Sequence, residues 1–201
     1  MKVTNLSSTL YASHRQALAQ KLPQGALAVL NANDIMPTNG DGTMPFRQNS
    51  DLFYMTGLAQ EETVLLLFPN ATLEEEKEIL FIQEPNDLML KWDGHRLSKE
   101  QARVRTGIKN VQYVQAFQGT FHRLATDAES LYLNTNEHKR SSNMVQTRDE
   151  RFIAYAKEHF PLHTLGRLAP ILGRLRMYKT EEEIELLKEA IKITGDGLWR
   201  V

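Results

Sequence analysis

Apolar and polar positions along the chain follow two periods, and the periods divide it into helices and strands. Tyr11, Leu18 and Leu22 share one helical face, after a Ser/Thr cluster at residues 7–9 and before Pro23 and Gly25, so a helix is predicted there. A buried strand follows at residues 26–30. Residues 31–45 hold three Asn, two Gly, two Asp and two Pro, which predicts a long exposed loop. Three apolar, β-rich segments come next, at residues 52–56, 63–68 and 78–83. Gly57 and Pro69-Asn70 separate them, and the short links predict neighbouring strands.

Residues 98–106 predict a short helix, because Ser98 and Gln101 have capping-box spacing and Gly107 can end it. Residues 111–114 and 131–133 read as strands with a helix between them around residues 121–127. A further helix runs from about residue 147 to 159 and ends at Pro161. A run of strands followed by interleaved strands and helices predicts an α/β fold, one mixed sheet flanked by helices. From Thr180 the chain reads TEEEIELLKEAIKI, with a capping box at Thr180 and Glu183 and with Ile184, Leu187 and Ile191 on one face. This is an amphipathic helix. Leu198 and Trp199 come just past it with nothing after them to pack on, which implies a sequence cut from a longer protein, with a natural C-terminal docking helix as the alternative.

Composition narrows the function classes. Of 201 residues, 41% are hydrophobic and 24% charged, with a net charge of -1, which disfavours a disordered chain. The near-zero charge and the lack of a Lys/Arg block disfavour nucleic acid. The longest wholly apolar run, residues 64–68, is far short of the roughly 20 residues of a membrane-spanning helix. The N-terminus has no apolar stretch of the kind a secretory signal carries. With no cysteine there is no disulfide, thiol nucleophile or Cys-ligated zinc, which fits a cytoplasmic protein.

Motifs for chemistry are sparse. There is no G-x-S-x-G turn, and the six histidines are scattered at 14, 95, 122, 138, 159 and 163. His159 and His163 have metal-pair spacing, but Pro161 lies between them, so they read as two solvated histidines. Gly40 and Gly42 read as a plain turn. Between them Asp41 reads first as a turn-forming Asp, and as the alternative a carboxylate that the flanking glycines would let approach a ligand. Residues 74–78 read as a solvated charged face. Residues 46–57, FRQNSDLFYMTG, put a cation, two amides and an acid before an aromatic strand ended by Gly57. Arg47 and Asp51 are expected to satisfy backbone groups and each other where the loop enters the sheet.

FRQNSDLFYMTG resembles the entry motif of the N-terminal domain in Xaa-Pro aminopeptidases, the proline-specific relatives of creatinase and prolidase. Tyr11 with His14 and Arg15 resembles that domain's opening Tyr-x-x-Arg-Arg, with His in place of the first Arg. Trp92, Gly94 and Arg96 in KWDGHRL match its Trp-x-Gly-x-Arg, and LRMYKTEEEIELLKEA, residues 175–190, resembles the junction helix that leads into the catalytic domain. The resemblance implies a creatinase-like, ribonuclease H-like N-terminal domain over residues 1–175. Residues 176–201 are then the junction helix and the start of a truncated pita-bread catalytic domain.

In that family two divalent metals, commonly manganese, are held by two Asp, one His and two Glu beyond the point where this chain ends. The resemblance therefore assigns no catalytic residue, metal ligand or cofactor to this chain, which should be inactive alone. The parent enzyme would remove the N-terminal residue from peptides with proline in second position. This domain would shape the substrate cleft and a homo-oligomer, with its own catalytic domain, neighbouring subunits and the peptide as partners and with no nucleic acid or membrane. By position Asp41 matches an acid near the substrate's amino end, and Trp92 matches a tryptophan that a neighbouring subunit offers to the pocket. Arg47, Asp51, Gly57 and Arg96 belong to the structural motifs. A peptidase-like binding module that has lost its metal ligands, as in histone-chaperone subunits, is an alternative, as is a prolidase or creatinase relative.

Overall fold

Alternation within the apolar run ALAVL sets the architecture. In strand β1 (Ala26–Asn31) every position is buried, with Ala28 and Leu30 in one core and Leu27 and Val29 in another. A strand buried on both faces has to lie centrally, with helices on either side. The computed structural model, which describes residues 6–85, 96–141 and 144–200, has this form. The other strands are β2 (Val64–Leu67), β3 (Glu78–Ile82), β4 (Asn110–Tyr113), β5 (Ser130–Leu133) and β6 (Thr164–Arg167). They form one mixed sheet in the order β4-β3-β2-β1-β5-β6. β2 is antiparallel to both neighbours, and the remaining pairs are parallel.

The helices are α1 (Ser8–Ala19), α2 (Ser50–Thr56), α3 (Lys99–Thr106), α4 (Phe117–Asp127), α5 (Arg148–His159), α6 (Ala169–Met177) and α7 (Glu181–Leu198). Leu18, Leu52, Met55, Ala102 and Leu172 bring α1, α2, α3 and α6 onto one face of the sheet. Phe121, Leu124 and Ala156 bring α4 and α5 onto the other, where Phe121 meets Phe152 and Phe160 edge-on at 5.1 and 5.4 Å. Parallel neighbours need a crossover, and α3, α4 and α5 supply those into β4, β5 and β6.

The predicted capping boxes at Ser98 and Thr180 are formed, and Thr147 with Glu150 forms a third. Three expectations need correction, and two elements, β6 and α6, are additions to those predicted. Residues 52–56 are helix α2, not a strand, because the Asn49 side chain accepts from the backbone N–H of Asp51 and Leu52 and Gly57 closes the turn in the left-handed region. The helix expected at residues 121–127 begins earlier, at Phe117. β6 and α6 carry no sequence signal as clear as those of the other elements, since β6 is short and partly exposed. α7 continues through Gly195 and Gly197, so Leu198 is its last residue and does not lie past it. Residues 86–95, and with them Trp92 and Gly94, lie outside the described residues.

A buried cation ties the first layer together. Arg15, 1% exposed, donates from Nε to Glu78 Oε2 at 3.0 Å and from Nη1 to the Met55 carbonyl at 2.9 Å. It thus joins α1, the end of α2 and β3. Burial pulls its guanidinium below the ordinary value, and the Glu78 carboxylate opposes that.

Gly57, directly after Met55 and Thr56, has φ 67, and a Cβ there would meet Tyr11 ring carbons at 2.2 and 2.3 Å and its hydroxyl at 2.5 Å. Gly57→Ala is expected to lose roughly 2–4 kcal/mol, combining left-handed backbone strain with overpacking against a buried ring. Urea unfolding measures it, and a loss below about 1 kcal/mol would show that Tyr11 moves aside freely.

Candidate functional site

β1 and β5 run parallel side by side, and the chain leaves their C-terminal ends toward opposite sides of the sheet. Such a switch point opens a crevice at the sheet edge. Asn31 ends β1 and Asn134 follows β5, both almost fully buried. Two helix N-termini converge on them, α2 capped by Asn49 and α5 capped by Thr147. Between these elements lies a cleft of about 440 Å³, walled by Asn33, Met44, Phe46, Arg47, Arg148 and Asp149 among others. An apolar groove of about 600 Å³ between Lys21 and α6 lacks this convergence of polar groups and is not the candidate.

The polar side chains of the cleft floor form one network. Asn31 Nδ2 donates to Asp149 Oδ1 at 2.9 Å, and Asn49 Nδ2 approaches Oδ2 of the same carboxyl at 3.5 Å. Asn134 Nδ2 donates to Asp51 Oδ2 at 3.0 Å, and Arg176 Nη1 donates to Asp51 Oδ1 at 2.6 Å. Most charges here are matched. Arg151 holds Asp34 through both oxygens at 2.6 and 3.3 Å, and Arg148 meets Glu62 at 3.0 Å. Among the described residues Arg47 forms no ion pair, and Asp149 is held by amides and not by a cation. Burial pushes the Asp149 carboxyl up to about 6, against the Asn31 hydrogen bond and helped by the negative charge of Asp51.

The structure gathers some of the sequence-predicted residues here and leaves others elsewhere. Arg47 walls the cleft, and Asp51 lies in its floor network. They do not pair with each other as expected. Asp51 sits in the first turn of α2, where Asn134 and Arg176 take both its oxygens, and Arg47 instead offers its carbonyl to Asn33 Nδ2 at 2.9 Å. Asp41 stands outside the cleft walls, at the exposed tip of an arm in which Met44 N–H bonds the Met36 carbonyl and Thr38 N–H the Gly42 carbonyl, each at 2.8 Å. Gly57 lies at the far end of α2. Arg96 is 9% exposed beside Glu61 at 3.4 Å. Sequence reasoning missed Asp149, Asn31, Asn134 and Arg176. Only Asp149 carried a local signal, since the Thr147–Glu150 capping box fixes it in a first helical turn.

Among the described residues no three His, Cys, Asp or Glu side chains group to hold a metal ion. The floor carboxylates are already held by Arg176 and by amides, so a two-metal centre does not fit this cleft. No helix among the described residues is long and apolar enough to cross a membrane.

Comparisons with known proteins agree on one relationship. The family described as aminopeptidase P, N-terminal domain, matches residues 11–132. A Xaa-Pro aminopeptidase of Escherichia coli is 25% identical over 195 residues, covering 96% of this chain and 44% of the relative. That of Haemophilus influenzae is 26% identical over 182 residues, covering 90% and 39%. A solved structure from Bacillus anthracis described as an aminopeptidase P superposes with a TM-score of 0.87 at 29% identity, over 96% of this chain and 46% of that one. Aminopeptidase P from Escherichia coli in a low-pH form gives 0.78 at 23% identity, over 93% and 42%, and shares the fold. The chain thus spans less than half the length of these relatives.

The raised Asp149 carboxyl sets a pH dependence. The folded chain holds this proton more tightly than an unfolded one, whose carboxyl titrates at its ordinary 3.8, so the site penalises the fold as pH rises through about 6. Falling pH removes that penalty. Asp149→Asn is therefore expected to exceed the parent in stability by roughly 2–3 kcal/mol at about pH 8, with the difference closing by about pH 4. Urea unfolding at both pH values checks this, and a difference independent of pH would contradict it.

Proposed function

Because the chain belongs to the aminopeptidase P N-terminal domain family, we propose that it is the non-catalytic N-terminal domain of a Xaa-Pro aminopeptidase. The parent enzyme removes the first residue from peptides with proline in second position. The observation that carries this reading is the coverage: homology and fold extend over nearly all of this chain but less than half of each relative. The described residues, in turn, hold no clustered set of catalytic-metal ligands. The two metals, manganese in this reading, belong to the half that follows, and no step of their chemistry passes through residues of this chain.

The domain's task is then to wall the substrate cleft and to build the oligomer of a cytoplasmic enzyme. Its arm carries Asp41 at the tip beside exposed Ile35, Met36 and Met44, an apolar surface suited to lie against another domain or subunit. Trp92 is the second cleft-wall residue, reaching the pocket of a neighbouring subunit. Residues 176–201, including α7, form the junction. Leu187, Ile191, Ile193 and Leu198 are exposed on that helix, and the catalytic half covers them. Restricting access to a short free N-terminus selects peptides by excluding poor fits, with no bond-breaking group needed in the wall.

Peptidase assays on the longer protein and on this chain test the proposal. The 201-residue chain with manganese should give no turnover of X-Pro peptides, whereas the longer protein should cleave them. In the longer protein Trp92→Ala should leave stability within about 1 kcal/mol, since truncating a core aromatic would remove roughly 3–5 kcal/mol. It should lower kcat/KM on peptides longer than dipeptides. Turnover by the chain alone would overturn the non-catalytic assignment, and early unfolding with unchanged kinetics would overturn the role of Trp92.

A further inference from the structure

His14 on α1 is 5% exposed and lies where α1 meets the end of α2 and the first turn of α7. Its ring stacks on that of Tyr54 in α2, with centroids 3.7 Å apart and planes at 12°. Nδ1 stands 2.9 Å from the Tyr54 carbonyl. A carbonyl oxygen only accepts, so Nδ1 carries a proton. The other nitrogen, Nε2, is shut off from solvent and has no hydrogen-bond partner among the described residues. It lies 3.7 Å from Glu183 Oε2.

That oxygen is held in place. Oε2 accepts from the Thr180 backbone N–H at 2.9 Å and from Thr180 Oγ1 at 3.1 Å, in the capping box that starts α7. With the imidazole neutral and Nδ1 protonated, Nε2 is a lone pair set close to a carboxylate oxygen, two acceptors with no proton between them. With the imidazole charged, Nε2 carries a proton and the contact becomes a charge pair between α1 and α7, largely buried and so weakly screened. The carbonyl end of α2, which takes Nδ1 of His14 and Nη1 of Arg15, also favours positive charge here. The other charges around the ring have partners of their own: Glu78 holds Arg15, Asp51 holds Arg176 of α6, and Ser7 holds Glu182 of α7. Arg105 of α3 acts on Tyr11, and Arg47, in the same groove as His14, is exposed. Burial, aided by Glu182 and Glu183 respectively, holds the Tyr11 and Tyr54 phenols above their ordinary 10.0, so neither titrates where an imidazole does.

We propose that His14 is a proton-operated latch on α7: with Nε2 protonated it ties α1 and α2 to Glu183 in the first turn of that helix, and with Nε2 bare it releases the tie. Imidazole ordinarily changes charge between about pH 5 and pH 8. The attraction is therefore present at the acid end of that range and is lost as pH rises through it. The Ser7–Glu182 and Arg176–Asp51 contacts contain no histidine and remain throughout. What the proton changes is how firmly the start of α7 is held, not whether the helix forms. The latch is a property of this chain and stands apart from the peptidase reading.

Two measurements on the 201-residue chain at about pH 5.5 and about pH 8 test the latch. Nitrogen NMR of the His14 ring shows which nitrogens carry protons, and hydrogen exchange at the amides of residues 183–186, corrected for the intrinsic effect of pH, shows how firmly α7 starts. Both ring nitrogens should be protonated at the acid pH and Nδ1 alone at the alkaline one. Protection should fall at least about threefold between the two, the effect of a weak ion pair. Glu183→Gln removes the charge and keeps a side chain suited to the capping box, so it should abolish the pH dependence, as should His14→Gln. Asp149→Asn removes the carboxyl that titrates at about 6 and should leave the dependence intact. A bare Nδ1 at the alkaline pH, ring nitrogens or protection unchanged across the range, a protection change that survives Glu183→Gln, or one lost in Asp149→Asn would overturn the proposal.

Discussion

Asp51 is the carboxylate on which the cleft face depends. Its oxygens take Arg176 Nη1 at 2.6 Å and Asn134 Nδ2 at 3.0 Å, while its backbone N–H bonds the Asn49 cap at 2.9 Å. One residue thus joins the first turn of α2, the end of β5 and the end of α6. An acid in a first helical turn also suits the helix dipole. With the Arg176 side chain 41% exposed, this pair is screened by water and adds little to stability. Its importance is positional: α6 passes directly into α7, so the place where α6 ends decides where the terminal helix starts.

Stability and position are carried by different chemistry. The apolar layers on the two sheet faces supply the burial that holds the fold. The polar groups choose geometry within it. Asn31 and Asn134 stand where the two central parallel strands end, and as neutral amides they donate to Asp149 and Asp51 without adding charge beneath a sheet edge. Arg15 does the same for the opposite end of α2, while Ser7 N–H and Oγ hold Glu182 of α7 at 3.0 and 2.9 Å. The cleft face is thereby a set of short polar ties laid over an apolar scaffold.

Signals contained within a few residues were legible in the sequence. The buried apolar run of β1, the caps at Ser98 and Thr180, and Pro161 after α5 located their elements. The error at α2 is instructive: LFYMT is rich in β-favouring side chains, but Asn49 before it and Gly57 after it decide the conformation. The cleft was less legible because Asn31–Asp149, Asn134–Asp51 and Arg176–Asp51 lie 118, 83 and 125 residues apart in the chain. No local pattern encodes such pairs. The motif around Arg47 and Asp51 lies at the cleft, but the expected pairing of the two residues does not form, because Asn134 and Arg176 take both Asp51 oxygens.

The central claim is that Asp51 fixes the direction of α7 against the sheet. Because the chain has no cysteine, spin labels can be placed cleanly at Lys188→Cys on α7 and Lys109→Cys, which precedes β4, both at exposed positions. The interlabel distance distribution in the 201-residue chain, measured by double electron–electron resonance with and without Asp51→Asn, is the direct test. A single narrow distribution that broadens when Asp51 is replaced is predicted, and a distribution unchanged by the substitution would contradict the account.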